Sequence, residues 1–443
     1  MGEEEKNESP LRLEDLGLGE ILPPAPAKPR EVDAFASQLT RKQTPGSKVG
    51  PNFIRRGNAE DYEPSLANAK IAVKSLGVRP KYNVFHDRIE FEGYNKPSGE
   101  PFSDTTLKMR NAVVERFGFD PKQGFTEDAT RILALENAFD PVRDYLDGLK
   151  WDGTPRLNTW LSRYLSAVDD ELTRAIGCAV LIAGVRRVRK PGCKFDAMLV
   201  LEGDQGPGKS TALKILAGGD DNFSDALDFR QSYKEHLEML AGKWVLEAPE
   251  LSGLSQAAVQ SAKQFISKTH DRARKAYARA VEEVPRRCIL IGTTNDATYL
   301  KDPTGNRRFW PVRTGKIDLE GLRRDRDQLW AEAAMAEPSF AEPVTIPEHL
   351  WALAAAQQAE RVEADPWEDT LSTLLPRFAK VIEGRQRITT KAIFEQILMR
   401  DMRDVAMREN KRVAACMRRL GWEGPKPLWM GDTALKGYEK KLE

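Results

Sequence analysis

Apolar residues along the chain follow two rhythms, and the switch between them marks out its parts. Between about residues 195 and 335, short continuous apolar runs at 198–201, 244–246 and 288–291 predict buried strands. They alternate with helical patterns, such as 257–267, where Ala258, Ala262 and Phe265 share one face. That alternation predicts an α/β core with a parallel sheet. Upstream, 60–145 reads as mostly helical, with Leu107, Val113, Val114 and Phe117 at helical spacing and a small hairpin around His86-Asp87. Residues 141–188 are helical again, broken at Trp151-Asp152-Gly153-Thr154-Pro155. After Trp330 the pattern turns helical, and the last sixty residues form a small module.

The resulting division is a tail and proline-rich linker (1–56), an α-rich N-terminal domain (57–140) and a helical region leading into the core (141–194). The core (195–335), a helical connector (336–380) and a C-terminal module (381–443) follow. Residues 1–20 carry seven acids and two bases, and Pro23, Pro24, Pro26 and Pro29 follow. Such a segment buries too little apolar surface to offset its ordering entropy and is expected to be disordered.

Composition narrows the function classes. Sixty-eight Lys and Arg balance 67 Asp and Glu, so net charge names no partner. Four scattered cysteines and four histidines suggest neither a disulfide framework nor a zinc site. No apolar run reaches the ~20 residues that span a bilayer. A soluble, intracellular protein without membrane contact is expected.

The strongest local signal is Gly203-Asp204-Gln205-Gly206-Pro207-Gly208-Lys209-Ser210, a G-x-x-x-x-G-K-[ST] loop between a predicted strand and a helix beginning near Thr211. In such a loop, glycines turn backbone N–H groups around phosphates at a helix N-terminus. Lys209 is then expected to reach the β- and γ-phosphates of ATP, and Ser210 to ligate Mg²⁺. The run 243–247 ends in Glu247, assigned to the metal shell, and Glu250 follows, assigned to the attacking water; the two roles are interchangeable. Asn295 closes the next strand, placed for the γ-phosphate or the water. Arg307 and Arg308, between Gly305 and Phe309-Trp310, suit a loop presenting a guanidinium to a neighbouring subunit's nucleotide.

Two segments are basic. From 268 to 287 there are seven bases and three acids, and Arg274, Lys275, Tyr277 and Arg279 combine cations with an aromatic face, as single-strand grooves do. Ten bases and four acids lie between 385 and 419, including Lys411, Arg412, Arg418 and Arg419 on a predicted helix followed by a hairpin around 431–433. Helix, basic helix and hairpin make a winged-helix-like pattern that binds DNA or protein.

Taken in order, these residues resemble the virulence-associated E family of phage and mobile-element proteins. Besides the loop, the likeness rests on Pro141-Val142-Arg143-Asp144-Tyr145-Leu146, Lys150-Trp151-Asp152-Gly153 and Lys194-Phe195-Asp196. It continues through Glu247-x-x-Glu250-Leu251, Asp271-x-x-Arg274-x-x-Tyr277, Thr293-Thr294-Asn295 and Gly305-Asn306-Arg307-Arg308-Phe309-Trp310. The resemblance implies a P-loop NTPase core of the AAA+, superfamily 3 helicase-like kind, with ATP bound between subunits of a ring, usually a hexamer. It implies translocation on single-stranded or forked DNA during replication, in the cytoplasm of a bacterial host, with a primase or polymerase as a further partner. The region around Arg274 falls where related helicases place a DNA-gripping hairpin. Residues 1–140 lack an evident carboxylate cluster, so no primase activity is expected. The alternative is a DNA-bound ATPase switch or loader that recruits replication proteins without unwinding.

Overall fold

Two units make up the chain, with the boundary at Pro141. The computed structural model describes residues 51–57, 61–94, 99–206, 208–251, 253–273, 282–300, 305–362, 365–429 and 433–442. Of the expected tail and linker (1–56), residues 1–50 lie outside the described residues.

In the first unit, helix α1 (Leu66–Ser75) starts where Ser65 Oγ accepts the Asn68 N–H at 3.3 Å. Strands β1 (Arg79–Asn83) and β2 (Arg88–Glu92) form the anticipated antiparallel hairpin, and α2 (Phe102–Phe117) and α3 (Gln123–Glu136) complete the unit. The spacing predicts α2 and half of its buried face, since Val113 is buried and Phe117 packs against the core. Leu107 and Val114 are 52% and 40% exposed, whereas Thr105, Thr106, Met109 and Val113 are buried. The two threonines bury without an orphaned hydroxyl because each bonds back to a carbonyl one turn earlier.

Residues 51–56, expected in the linker, belong to this unit. The Phe53 ring packs 4.8–5.3 Å from Phe119, Tyr62 and Phe117. The fully buried Asn68 amide donates to the carbonyls of Ile54 and Glu63, each at 2.7 Å, and accepts the Ile54 N–H at 2.7 Å.

The second unit opens with α4 (Pro141–Gly148), α5 (Trp160–Leu165) and α6 (Glu171–Arg189). Its centre is a five-stranded parallel sheet in the order β4 (Phe223–Ser224), β5 (Val245–Ala248), β8 (Ile289–Thr294), β3 (Met198–Glu202) and β9 (Phe309–Arg313). Strands β3, β5 and β8 are buried throughout, which is why they read as unbroken apolar runs. From α6, the buried Arg187 donates to Cys288 O at 2.7 Å and Phe195 O at 2.8 Å, fixing the approaches to β8 and β3.

Around the sheet lie α7 (Lys209–Ala217), α8 (Tyr233–Leu240), α9 (Gln256–Ile266), α10 (Leu319–Ala336) and α11 (Trp351–Glu360). A separate antiparallel pair, β6 (His270–Ala273) and β7 (Glu282–Pro285), follows α9.

Helix α12 (Pro366–Phe378) leads to a four-stranded antiparallel sheet in the order β10 (Lys380–Ile382), β11 (Arg385–Thr389), β13 (Ala434–Lys441) and β12 (Glu423–Trp429). Between β11 and β12 run a short helical segment, α13 (Thr390–Ala392), a π-helical turn (Ile393–Ile397) and α14 (Met407–Arg419). Gly437 is required where β11 and β13 close, since a Cβ there would stand 2.3 Å from Ile388 O.

Candidate functional site

The carboxyl end of β3 lies between those of β8 and β9, and open α/β sheets bind ligands at the carboxyl ends of their strands. Glu202 ends β3 and the glycine loop begins at Gly203, where a Cβ would stand 2.7 Å from Thr314 Oγ1. Glycine therefore lets the chain pass Thr314, whose N and Oγ1 donate to Glu202 O at 2.7 and 2.8 Å. Gly206 has open space around its Cα, and Gly208 precedes α7. Pro207 lies outside the described residues.

Lys209 is the first residue of α7, and its ammonium curls back over the loop. It donates to Gly203 O at 2.8 Å, Asp204 O at 2.9 Å and Asn295 Oδ1 at 2.9 Å. Partial burial lowers its pKa, against the pull of Asp204 and Glu247. Thr211 is exposed on the first turn of α7.

Glu247 lies in β5, fully buried. Its Oε1 accepts from Ser210 Oγ at 2.8 Å and Thr293 Oγ1 at 2.6 Å, while its buried Oε2 has no partner among the described residues. Burial raises the carboxyl's pKa, and the two hydroxyls only partly offset it. Strand β8 separates β3 from β5, so Thr293 bridges the gap from the middle strand. Two hydrogen-bonded pairs, Lys209 with Asn295 across 86 residues and Ser210 with Glu247 across 37, are thus joined through the consecutive Lys209 and Ser210 into one polar cluster.

Other expected residues stand apart from it. Glu250 is exposed, with a positive φ of 52°, and has no hydrogen bond to the cluster among the described residues. Arg308 donates from Nε to Ser267 Oγ at 2.6 Å, which pins the turn before β9 to the end of α9. Arg307 is exposed and makes no ion pair among the described residues. Arg274, Lys275, Tyr277 and Arg279 lie outside the described residues. The strands on either side, β6 and β7, are held by a buried pair, Arg286 Nε to Asp271 Oδ2 at 2.5 Å, with Tyr233 donating to Asp271 Oδ1 at 2.6 Å. Burial alone would raise the Asp271 carboxyl, but Arg286 outweighs it and holds the pKa low.

On α14, Arg412 makes two 2.7 Å bonds to Asp365 and stacks 4.0 Å from the Trp367 ring. Arg419 pairs with Glu368, and Arg418 Nε donates to Ala414 O at 3.1 Å. Lys411 is exposed without an ion pair among the described residues. Half of this basic set therefore fastens α14 to the start of α12.

Sequence reasoning missed four residues around the site. Thr293 had a signal, since it stands in the polar end of β8 beside Asn295. Glu202, Tyr299 and Arg361 form a buried group under the loop, with Tyr299 Oη 2.9 Å from Glu202 Oε1 and Arg361 bonding both carboxylate oxygens at 2.9 and 3.0 Å.

Residues 146–363 match the family model described as the virulence-associated protein E-like domain. No curated protein matches the chain. Among solved structures, an apo form of the NrS-1 C-terminal region is 11% identical with a TM-score of 0.46, covering 85% of this chain and 99% of that one. An A-form apo structure of the same region is 12% identical with a TM-score of 0.43, covering 83% and 98%.

Proposed function

We propose that this chain, whose residues 146–363 form a virulence-associated protein E-like domain, is a P-loop ATPase that couples ATP hydrolysis to movement on single-stranded or forked DNA during replication of a phage or mobile element. The observation that carries the reading is the connected cluster at the carboxyl end of the sheet, where Lys209 meets Asn295 and Ser210 meets Glu247.

Each residue has a task that its surroundings suit. Backbone N–H groups of the loop and of α7 offer donors and a partial positive charge to phosphate oxygens. Three acceptors now hold the Lys209 ammonium, and phosphate oxygens take their place when ATP binds. Asn295 loses that donor in the exchange and turns its amide to the γ-phosphate or the attacking water. Mg²⁺ fits the donor set, because Ser210 Oγ faces a buried carboxylate with one oxygen unused; bound there, it would neutralise charge building on the phosphates. Glu247 accepts and holds, and Glu250 is the exposed acid left to activate water.

ATP between subunits of a ring gives the exposed Arg307 its role, reaching a neighbour's phosphates while Arg308 anchors the turn. The order of helices and hairpin after Pro366 fits a winged-helix-like module. The test is MgATP hydrolysis by the full chain against Lys209→Ala and Glu247→Gln. Hydrolysis lost in both variants supports the reading; a wild-type chain that neither binds nor hydrolyses ATP overturns it.

A further inference from the structure

A second cleft, of about 580 Å³, opens in the C-terminal module between the end of β11, the approach to α14 and the start of β13. That volume falls in the ~300–1,000 Å³ range of small-ligand sites. Its polar groups gather at one end. Thr389 pairs with Gly437 across β11 and β13, which brings Thr390 and Lys391 beside Lys436. Thr390 is only 6% exposed, yet its Oγ1 has no hydrogen-bond partner among the described residues. Lys436 is exposed and makes no ion pair among them, and Lys391 makes a 3.9 Å approach to Glu395 and a weaker, longer-range one to Asp401.

The other walls are apolar, made by Met402, Met407 and Leu435, with Met407 76% exposed. Asn410 lies three residues after Met407, on the same face of α14, and its side chain makes no hydrogen bond among the described residues.

We infer that this cleft takes one nucleotide of a single DNA strand, its phosphate between Lys391, Lys436 and the Thr390 hydroxyl, its base against the methionines with Asn410 at the base edge. A carboxamide carries a donor and an acceptor side by side, as base edges do. A thioether packs well on an aromatic ring. Two lysines and an unsatisfied hydroxyl at one end match a phosphate rather than an apolar side chain. Strand addition by a peptide is disfavoured, because β11 and β13 are paired on both sides and offer no open edge. The site also differs from the basic positions of α14, two of which are spent on Asp365 and Glu368.

The inference takes DNA as partner from the reading above, but a chain without ATPase activity could still pass its test. The full chain is irradiated with single-stranded DNA carrying 5-iododeoxyuridine, and cross-linked peptides are mapped by mass spectrometry. Cross-links within 402–410 are expected; cross-links confined to other segments overturn the site. In parallel, affinity for a fluorescein-labelled oligothymidylate is measured across salt. Lys391→Ala with Lys436→Ala should flatten the log–log salt slope by about 0.7 per lysine. Asn410→Leu should weaken binding by about tenfold and leave the slope unchanged. Unaltered slope and affinity in variants that melt like wild type refute the inference and leave the cleft to an acidic peptide.

Discussion

Replacing Arg361 with methionine strips the buried carboxylate at the root of the glycine loop of its only cationic partner among the described residues. Glu202 is 6% exposed and one residue before Gly203, and Arg361 gives it two charge-assisted bonds at 2.9 and 3.0 Å. The Arg361 side chain is 15% exposed, so solvent screens the pair little. Breaking a buried pair from one side costs about 3–5 kcal/mol, because the remaining charge stays desolvated. Tyr299 remains as a donor, its hydroxyl kept protonated by burial, and offsets part of the loss. The assay is urea denaturation of the full chain in a double-mutant cycle with Glu202→Gln. Arg361→Met alone should cost about 3–5 kcal/mol and far less beside Glu202→Gln, where no charge is stranded. Equal losses in both backgrounds, or a loss below about 1 kcal/mol, would refute the reasoning. Because Gly203 follows directly, the single variant should also bind ATP more weakly.

Three further predictions concern charge and hydroxyl placement. Thr293→Val keeps the shape but removes one of two bonds to the Glu247 carboxylate, an interaction of about 1.5–3 kcal/mol; the ATPase turnover should fall about tenfold or more with ATP affinity held, and an unchanged kcat would sink the assignment. Arg307→Ala should leave the melting curve within about 0.5 kcal/mol of wild type while silencing neighbouring sites in mixed assemblies, whereas Arg308→Ala should lower stability through its lost bond to Ser267; full hydrolysis by isolated Arg307→Ala monomers would contradict the trans role. Hydrogen bonds from Arg324, helped by Tyr164, hold the Asp325 carboxyl at about 2 against burial, below its usual 3.8. Its folded pKa is the lower one, so its contribution is present above about pH 3.8 and is lost as pH falls through about 2. Asp325→Asn should flatten that part of an acid titration of stability, and an identical acid limb would count against the pairing.

The sheet and its loop were legible because their signals are local. Strands β3, β5 and β8 are apolar runs a few residues long, and the glycine loop follows β3 without interruption. That Glu247 would meet Ser210 was inferable from an acid closing an apolar strand after the glycine loop, but that β8 lies between their strands was not. Long-range pairing was not legible. Glu202 and Arg361 are 159 residues apart and looked like unremarkable charges in a charged chain, while Arg412, expected at DNA, finds Asp365 across 47. The linker boundary failed for a similar reason, since Ile54 is held by Asn68, whose burial no periodicity reports. On α2 the spacing followed the large apolar residues alone, whereas Thr105 and Thr106 are buried with their hydroxyls satisfied within the helix.

The most direct test of the account is the steady-state rate of ATP hydrolysis with and without single-stranded DNA, with Lys209→Ala as the blank. A motor on DNA predicts hydrolysis that the lysine variant abolishes and that DNA stimulates several-fold. A rate indifferent to DNA, from a chain that still hydrolyses ATP, would contradict coupling to a strand and favour a switch or loader.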